Sequence, residues 1–399
     1  MKKILSILLT LVLSLSLLSG CGKETKTTLA QGVDEKTIKV GTIGPTSGPI
    51  AIVGVPMLHG MQAYFNMVND LGGVNGKKIE LIAKDDQFKP DLALQKAEEL
   101  VEKDKVFAIV GQLGTPGCLG TLDYFKEKGI PAVYQGTGVS AFAKAKGNYF
   151  PVQPNYTFEG GLLVKYAVDN LKANSIAIIY GNDDAGKEEL EGVKAQLKKM
   201  GKEDVLKAEV PFNTQDLDFS AHVQKAAEVK PDVTIVVGYQ KAVPGILLEA
   251  KKQGFKTQFM TSYINADLTM LTLAKDAADG VIVTAWVPDI TDPNNQAAKK
   301  FIETYKKYFP NETPNAFAAA GWVAAEVFVE GLKRAGNDLS WEGYIKAMET
   351  FKDWNDGIAK GITYTKDRRN GVEKMYFMKA VWDEKMPRFE KISDFVGLE

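Results

Sequence analysis

Short runs rich in Val and Ile alternate with amphipathic stretches along most of this chain, and this alternation restricts the fold more than any other feature. Over residues 37–136 the predicted order is strand, helix, strand, helix, strand, helix, strand, beginning with Ile38–Gly44. Strands joined through helices form a parallel sheet covered by helices on both faces. A similar run follows Gln153. We therefore expect an α/β protein with two units, as the length of 399 residues also suggests.

The last part of the chain changes character. After three predicted helices, three short segments have the pattern of antiparallel strands joined by charged turns, at residues 362–365, 375–382 and 389–392. Neither unit needs these elements alone. We therefore expect both units to share the C-terminal part and the chain to cross between them more than once.

The N-terminus has the pattern of an export signal. Two lysines precede the apolar run Ile4–Leu18, which is shorter than the roughly 20 residues of a membrane span. Leu18–Cys21 then resembles the lipobox of bacterial lipoproteins, in which the cysteine is acylated. We expect a signal peptide over residues 1–20, a lipid on Cys21, a tether over 21–36 and anchoring on the extracytoplasmic face of the cell membrane. A plain signal peptide with an incidental cysteine is the alternative.

Composition and motifs argue against several classes of protein. A net charge of −1 offers no general basic field for nucleic acid. His59 and His222 lack the spacing of a metal site, and no common enzyme motif is present. We therefore expect no enzyme activity, no cofactor and no metal. Cys118 has no partner cysteine in the mature chain and is expected to be a small buried residue rather than a reactive thiol.

Three loops that follow predicted strands of the first unit are rich in small and hydroxyl residues, at 44–49, 111–117 and 135–140. Ligands of open α/β sheets bind at the carboxyl ends of strands. There, small residues allow close approach to backbone N–H groups, and helix N-termini favour negative charge. We expect these loops to meet at one rim and to bind a carboxylate. Helices are predicted at 119–128 in the first unit and at 188–200 in the second.

Several segments together resemble the solute-binding proteins of branched-chain amino-acid-type ABC importers. They span essentially the whole mature chain: Ile38–Pro49, Leu71–Ile79, Asp85–Gln87, Val106–Gly111, Asp218–Ser220 and Lys256–Met260. The resemblance implies a type 1 periplasmic-binding fold, with two doubly wound parallel-sheet lobes joined by three hinge crossings. It also implies a monomer that holds a small ligand between the lobes and delivers it to a membrane permease driven by a separate ATPase.

The same resemblance implies domain boundaries. The first lobe would comprise residues 37–154 and 287–358, and the second lobe residues 155–286 and 359–399. The hinges are then expected near Pro154–Tyr156, Val283–Val287 and Ile358–Ile362.

The ligand-binding positions that the resemblance implies match the family only in part. They are Thr46, Ser47, Val53, Gly114, Thr115, Gly136, Thr137, Gly138, Ala185, Tyr239 and Tyr263. Thr115 stands where the family has a serine that binds the ligand carboxylate, and Gly136 and Gly138 keep backbone donors. Val53 and Ala185 stand where amino-acid binders often have aromatic residues, which leaves more room for the ligand.

Tyr263 stands where the family has the acidic residue that pairs with the ligand's ammonium. A buried ammonium without a counter-charge costs several kcal/mol. Two ligand classes therefore stay open. One is an apolar or aromatic carboxylate without an ammonium, with Tyr239 and Tyr263 as walls. The other is an amino acid whose ammonium pairs with Asp183 or Asp184. A ligand-sensing receptor of the same fold is the alternative to transport.

Overall fold

The computed structural model describes residues 29–239, 241–287, 290 and 295–398. The predicted signal peptide, the expected lipidation at Cys21 and the first part of the tether lie outside the described residues. The strands are β1 (Thr37–Gly44), β2 (Lys78–Asp85), β3 (Ala108–Leu113), β4 (Ala132–Gly136), β5 (Tyr149–Phe150), β6 (Ile176–Gly181), β7 (Leu206–Phe212), β8 (Val233–Val237), β9 (Gln258–Thr261), β10 (Ile282–Ala285), β11 (Tyr376–Val381) and β12 (Arg388–Lys391).

Helices connect most of these strands. They are α1 (Ala51–Asp70), α2 (Pro90–Glu98), α3 (Thr115–Lys128), α4 (Ala141–Ala145), α5 (Tyr156–Asp169), α6 (Asp184–Met200), α7 (Ser220–Glu228), α8 (Ala242–Lys252), α9 (Leu268–Ala274), α10 (Gln296–Tyr308), α11 (Ala316–Ala335) and α12 (Trp341–Met348). Among the described residues, no helix combines the length and the apolar character that crossing a bilayer requires.

The first lobe is built on a five-stranded sheet in the order β2-β1-β3-β4-β5. All of its strand pairs are parallel, as the alternating pattern predicted. Helices α1 and α11 cover one face, and α2 and α3 cover the other. Each face has its own buried cluster, with Met61 and Trp322 on one side and Ala97 and Phe125 on the other.

Two glycines bring α1 and α11 together closely. A Cβ atom on Gly60 would lie 1.9 Å from the carbonyl oxygen of Ala318, and one on Gly321 would lie 1.9 Å from that of Met57. Only glycine allows the backbones to approach to this distance. This contact fixes α11 to the first lobe although α11 follows the second lobe in the chain.

The second lobe is built on a seven-stranded sheet in the order β12-β11-β10-β9-β8-β6-β7. Strands β6 to β10 pair in parallel, whereas β11 is antiparallel to both β10 and β12. The C-terminal part therefore adds an antiparallel edge, as predicted for residues 375–382 and 389–392. The two parallel-sheet lobes confirm the predicted fold class.

The strand predicted at residues 362–365 is wrong. The segment is irregular, and Ile362 forms only an isolated bridge with Trp354. Its apolar residues are buried for another reason, since Tyr364 packs into the core and its hydroxyl donates to the carbonyl oxygen of Pro151 at 2.9 Å. Here the apolar pattern reflects packing between the lobes rather than strand pairing.

The chain passes between the lobes in three segments: residues 151–155, the connection between the end of β10 at Ala285 and the start of α10 at Gln296, and residues 349–375. The first and third segments are bonded to each other, because Tyr364 binds Pro151 and the N–H of Val372 donates to the carbonyl oxygen of Val152 at 2.9 Å. The predicted hinges overlap these segments, and their motion stays a prediction.

Candidate ligand-binding cleft

The loops after β3 and β4 meet at the rim of the first lobe. The hydroxyl oxygens of Thr115 and Thr137 lie 2.7 Å apart, and the N–H of Gly114 donates to the carbonyl oxygen of Gly136 at 3.2 Å. Both threonines are buried. Since one hydroxyl donates to the other, the accepting hydroxyl keeps its own proton for another acceptor. The structure thus brings together Gly114, Thr115 and residues 136–138, which the sequence placed in one site.

The loop after β1 has its polar groups occupied within the first lobe. Asp85 accepts hydrogen bonds from the N–H of Thr46 at 3.0 Å and from the Ser47 hydroxyl at 2.5 Å. Burial raises the pKa of Asp85, but the bonds from Ser47, Gln87 and Thr46 outweigh it, so the net shift is downward. Thr46 and Ser47 therefore anchor their own loop to an ionised carboxylate.

A small cavity lies behind this rim, among residues of the second lobe. Six of the residues that line it are Tyr156, Asp183, Ala185, Glu189, Phe212 and Tyr239. The cavity has a volume of about 10 Å³, which is close to the space that one water molecule needs. Ala185 and Tyr239 are thus at the cavity as expected. Val53 is buried in the first turn of α1 and is not among the lining residues.

Two tyrosines of the second lobe reach the donors of the first. The Tyr156 hydroxyl interacts with the N–H of Gly138 and with the hydroxyl of Thr137. Burial raises the pKa of Tyr156, and these two donors oppose the shift. The Tyr239 hydroxyl interacts with Thr115 and with Asp183. The polar groups at the rim therefore lie close to hydroxyl groups of the second lobe.

Tyr263 lies against the same rim. Its ring stacks on that of Tyr156, with ring centroids 6.2 Å apart, and its hydroxyl oxygen accepts from Nε2 of Gln153 at 2.7 Å. A Cβ atom on Gly138 would lie 2.7 Å from the Tyr156 ring and 2.8 Å from the Tyr263 hydroxyl. A glycine at residue 138 is therefore required for the lobes to approach this closely.

Asp183 and Asp184, proposed from the sequence as replacements for the family's acid, differ in position. Asp183 lines the cavity, and its side chain caps α6 by accepting from the N–H of Gly186 at 2.9 Å. Asp184 is exposed in the first helical turn. Helices α3 and α6 begin at Thr115 and Asp184, earlier than predicted, so that both helix N-termini lie at the cleft.

Two buried acids at the cleft were missed from the sequence. Glu159 and Glu189 have no exposed surface, and Glu189 lines the cavity. Burial raises the pKa of both carboxyl groups. The sequence position of Glu189 could have indicated its burial, because it lies one helical turn after Ala185 on the core-facing side of α6. Within the described ranges, no set of three or more His, Cys, Asp or Glu is grouped so that it could hold a metal ion.

Contacts elsewhere also join the two lobes. The rings of Phe88, from the loop after β2, and Tyr239 meet edge to face with centroids 6.2 Å apart. On another side, the N–H of Ala316 donates to Asp267 at 3.2 Å. The lobes thus touch at several places around the cavity, which is a closed arrangement.

Similar proteins share this architecture. A leucine-, isoleucine-, valine-, threonine- and alanine-binding protein of Pseudomonas aeruginosa is 25% identical over 304 residues, which cover 75% of this chain and 79% of that protein. A fatty acid ABC transporter substrate-binding protein from Thermomonospora curvata superimposes with a TM-score of 0.83 at 23% identity, covering 93% of this chain and 95% of the other.

A third similar protein is a solute-binding protein of an ABC transporter from Rhodopseudomonas palustris BisB5, solved in complex with 3,4-dihydroxybenzoic acid. Its TM-score is 0.79 at 23% identity, with 91% of this chain and 98% of the other covered. The family model described as periplasmic binding protein matches residues 37–385 of this chain. This match confirms the resemblance drawn from the sequence and the expectation that the chain is not an enzyme. The chain belongs to the periplasmic binding protein family.

Proposed function

We propose that this protein is the extracytoplasmic solute-binding lipoprotein of an ABC importer, and that it captures a small carboxylate-bearing ligand between its lobes. It then delivers the ligand to a membrane permease driven by a separate ATPase. Cys21 carries the lipid anchor, and the protein acts as a monomer. The lobes comprise residues 37–154 with 287–358, and 155–286 with 359–399.

The observation that carries this proposal is the convergence of donors at the rim of the first lobe. The hydroxyls of Thr115 and Thr137 lie 2.7 Å apart, and Gly138 lies directly against Tyr156 and the Tyr263 hydroxyl of the second lobe. A ligand carboxylate would accept from the same donors in place of the tyrosine hydroxyls. A charged acceptor makes stronger hydrogen bonds than a neutral one, so the exchange favours the ligand.

The ligands named for the similar proteins fit this chemistry. Amino acids, fatty acids and dihydroxybenzoic acid all carry a carboxyl group, although their other ends differ. A shared carboxylate subsite on the first lobe and a variable second lobe would explain such a range.

Binding and closure are linked in this proposal. Because the enclosed space fits about one water molecule, a larger solute enters only when the lobes separate and the tyrosine side chains move. A ligand that contacts both lobes then favours the closed arrangement over the open one. The permease can read that difference in shape.

Calorimetric titration of the purified protein with leucine, phenylalanine, benzoate and phenylacetate tests the proposal. We expect at least one of these carboxylates to bind. We expect Thr115→Val to weaken that binding about tenfold or more, since a hydrogen bond to a charged group contributes roughly 1.5–3 kcal/mol. The matched control is Thr272→Val, on an exposed face of α9, which should bind like the unmodified protein.

An unchanged affinity in Thr115→Val, with the thermal stability retained, would contradict the carboxylate subsite. Uptake of the radiolabelled ligand by cells with and without this gene separates import from sensing. Loss of uptake on deletion supports delivery to a permease, and unchanged uptake argues against it.

A further inference from the structure

We propose that Phe88 is a preset latch, a side chain that the first lobe holds in place before closure and that stabilises the closed arrangement through Tyr239 of the second lobe. Asp85 and Asp86 are its positioning residues. The inference concerns the equilibrium between open and closed lobes. It goes beyond the proposed function, because it holds whichever ligand is bound.

The backbone of the loop after β2 is the first argument. Gln87 has a φ of 52° and Phe88 a φ of 63°, so two successive residues other than glycine are left-handed. This conformation is uncommon for a side chain as large as phenylalanine, and it persists only where the surroundings impose it. The loop is therefore constrained to direct the Phe88 side chain one way.

Two carboxylates impose this conformation. Oδ1 of Asp85 accepts from the N–H of Gln87 at 3.0 Å, and Oδ1 of Asp86 accepts from the N–H of Phe88 at 2.9 Å. Asp86 is buried, and its Oδ2 would lie 2.6 Å from a Cβ atom on Gly117 of α3. All of these contacts lie within the first lobe. The loop therefore keeps its shape whether the lobes are open or closed.

The ring of Phe88 lies between the two lobes. On its own lobe it covers Gly114, where a Cβ atom would lie 2.8 Å from a ring carbon. On the other side it meets Tyr239 edge to face, with ring centroids 6.2 Å apart. Tyr239 is held in turn, because its hydroxyl interacts with Asp183. Groups of both lobes therefore cover the Phe88 ring, and opening of the lobes would expose it.

The chemistry of this contact favours closure. The contact between Ala316 and Asp267, on another side of the lobes, is a hydrogen bond. When such a bond separates, both groups can bind water instead, which reduces its net contribution. Separation of two aromatic rings exposes apolar surface and has no such compensation. Because the loop is already ordered, closure does not first have to immobilise Phe88.

The test measures the separation of the lobes directly and without a ligand. Spin labels are attached at Gln95→Cys on α2 and at Gln215→Cys in the loop after β7, both exposed, in a protein that carries Cys21→Ser. Cys118 is buried and should not take up a label. Pulsed electron paramagnetic resonance then gives the distribution of distances between the two labels.

We expect a closed population in the labelled protein. Phe88→Ala should lower the ratio of closed to open molecules about threefold to tenfold, the factor that an edge-to-face aromatic pair contributes. The matched control is Phe255→Ala, since Phe255 makes an edge-to-face pair with Phe259 inside the second lobe, with centroids 5.7 Å apart. The control should leave the ratio unchanged.

Asp86→Ala tests the positioning role, because it removes the acceptor of the Phe88 N–H. We expect it to lower the ratio by about the same factor as Phe88→Ala. A protein with both substitutions should match Phe88→Ala alone, since a positioning residue acts only through the ring that it positions. Additive effects of the two substitutions would refute this role of Asp86.

Two outcomes would overturn the latch and leave the proposed function standing. One is an unchanged ratio in Phe88→Ala, and the other is a labelled protein without closed molecules. If none of the four carboxylates bound, the proposed function would fail and the latch would stand, because its test uses no ligand. The comparison of Phe88→Ala with Phe255→Ala decides even if Asp86→Ala does not fold.

Discussion

The carboxylate of Glu188 accepts two hydrogen bonds from Ser140, one from its N–H and one from its hydroxyl, both at 2.8 Å. Ser140 follows β4 of the first lobe, and Glu188 lies on α6 of the second. Neighbouring residues of α6 therefore face different partners, since Glu188 joins the lobes and Glu189 turns into the cavity. The pair therefore joins the two lobes in this closed arrangement.

Replacing Glu188 with Ala should favour the open arrangement. We expect the affinity for the ligand to fall about tenfold, because hydrogen bonds to a charged group contribute roughly 1.5–3 kcal/mol and this group is only half-buried. Calorimetry measures the affinity, and Glu191→Ala on the exposed face of α6 is the control. Equal affinities in the two variants would show that this pair does not stabilise closure.

A methyl group at residue 138 should oppose closure by steric means. The added Cβ atom of Gly138→Ala would lie 2.7 Å from the ring of Tyr156. Overpacking of this kind costs roughly 1–3 kcal/mol, and here that cost falls on the closed state. We expect a ligand affinity about tenfold lower, and a larger radius of gyration in solution scattering when ligand is present.

The matched control is Gly397→Ala, where the new Cβ atom would lie 3.5 Å from the carbonyl oxygen of Glu373, an ordinary contact distance. A Gly138→Ala protein that binds and compacts like this control would refute the close approach at residue 138.

The rim of the first lobe could be predicted from the sequence because it depends on chain order. Loops that follow neighbouring parallel strands must meet at the carboxyl edge of the sheet, so Thr115 and residues 136–138 come together in any fold with that strand order. The antiparallel edge formed by β11 and β12 could also be predicted, because short alternating segments joined by charged turns are typical of antiparallel strands.

The acid pair could not be predicted in the same way. Glu159 and Glu189 are far apart in the sequence, and their contact depends on how α5 and α6 pack. Tyr156 was likewise taken for a hinge position, although its side chain reaches the donors of the first lobe. Side chains on different helices meet through tertiary packing, which a pattern along one segment does not encode.

Stability should fall as the pH rises through neutrality because of Glu326 on α11. Burial raises the pKa of this carboxyl group to about 7, although a hydrogen bond from the N–H of Ile358 opposes the shift. The folded state therefore holds the proton more tightly than the unfolded state. The resulting stability is complete below the unfolded pKa and is lost as the pH rises through about 7.

Glu326→Gln isolates this effect, because an amide stays neutral and can still accept the bond from Ile358. We expect equal melting temperatures at pH 4, which lies below the unfolded pKa, and a more stable variant at pH 8, by up to about 3 kcal/mol. Glu342→Gln, exposed on α12, is the control and should follow the unmodified protein. A constant difference across the pH range would contradict the assignment to Glu326.

The thiol of Cys118 should be inert in the folded protein. It is fully buried, it donates to the carbonyl oxygen of Gln112 at 3.6 Å, and burial raises its pKa. In a Cys21→Ser variant, we expect Ellman's reagent to react at least about a thousandfold more slowly in buffer than in concentrated guanidinium chloride, since the thiol reacts only after opening. A fast reaction in buffer would contradict this prediction and would show that the region around Cys118 on α3 unfolds locally.

The bonds that tie Pro151 and Val152 to Tyr364 and Val372 have a mechanical consequence. Two chain segments that are hydrogen-bonded side by side bend together about one shared axis and resist twisting about any other axis. Each closure should then leave the outer surfaces of the two lobes in the same relative orientation, whatever the size of the ligand. A membrane permease could in this way recognise that a ligand is bound without recognising which ligand it is.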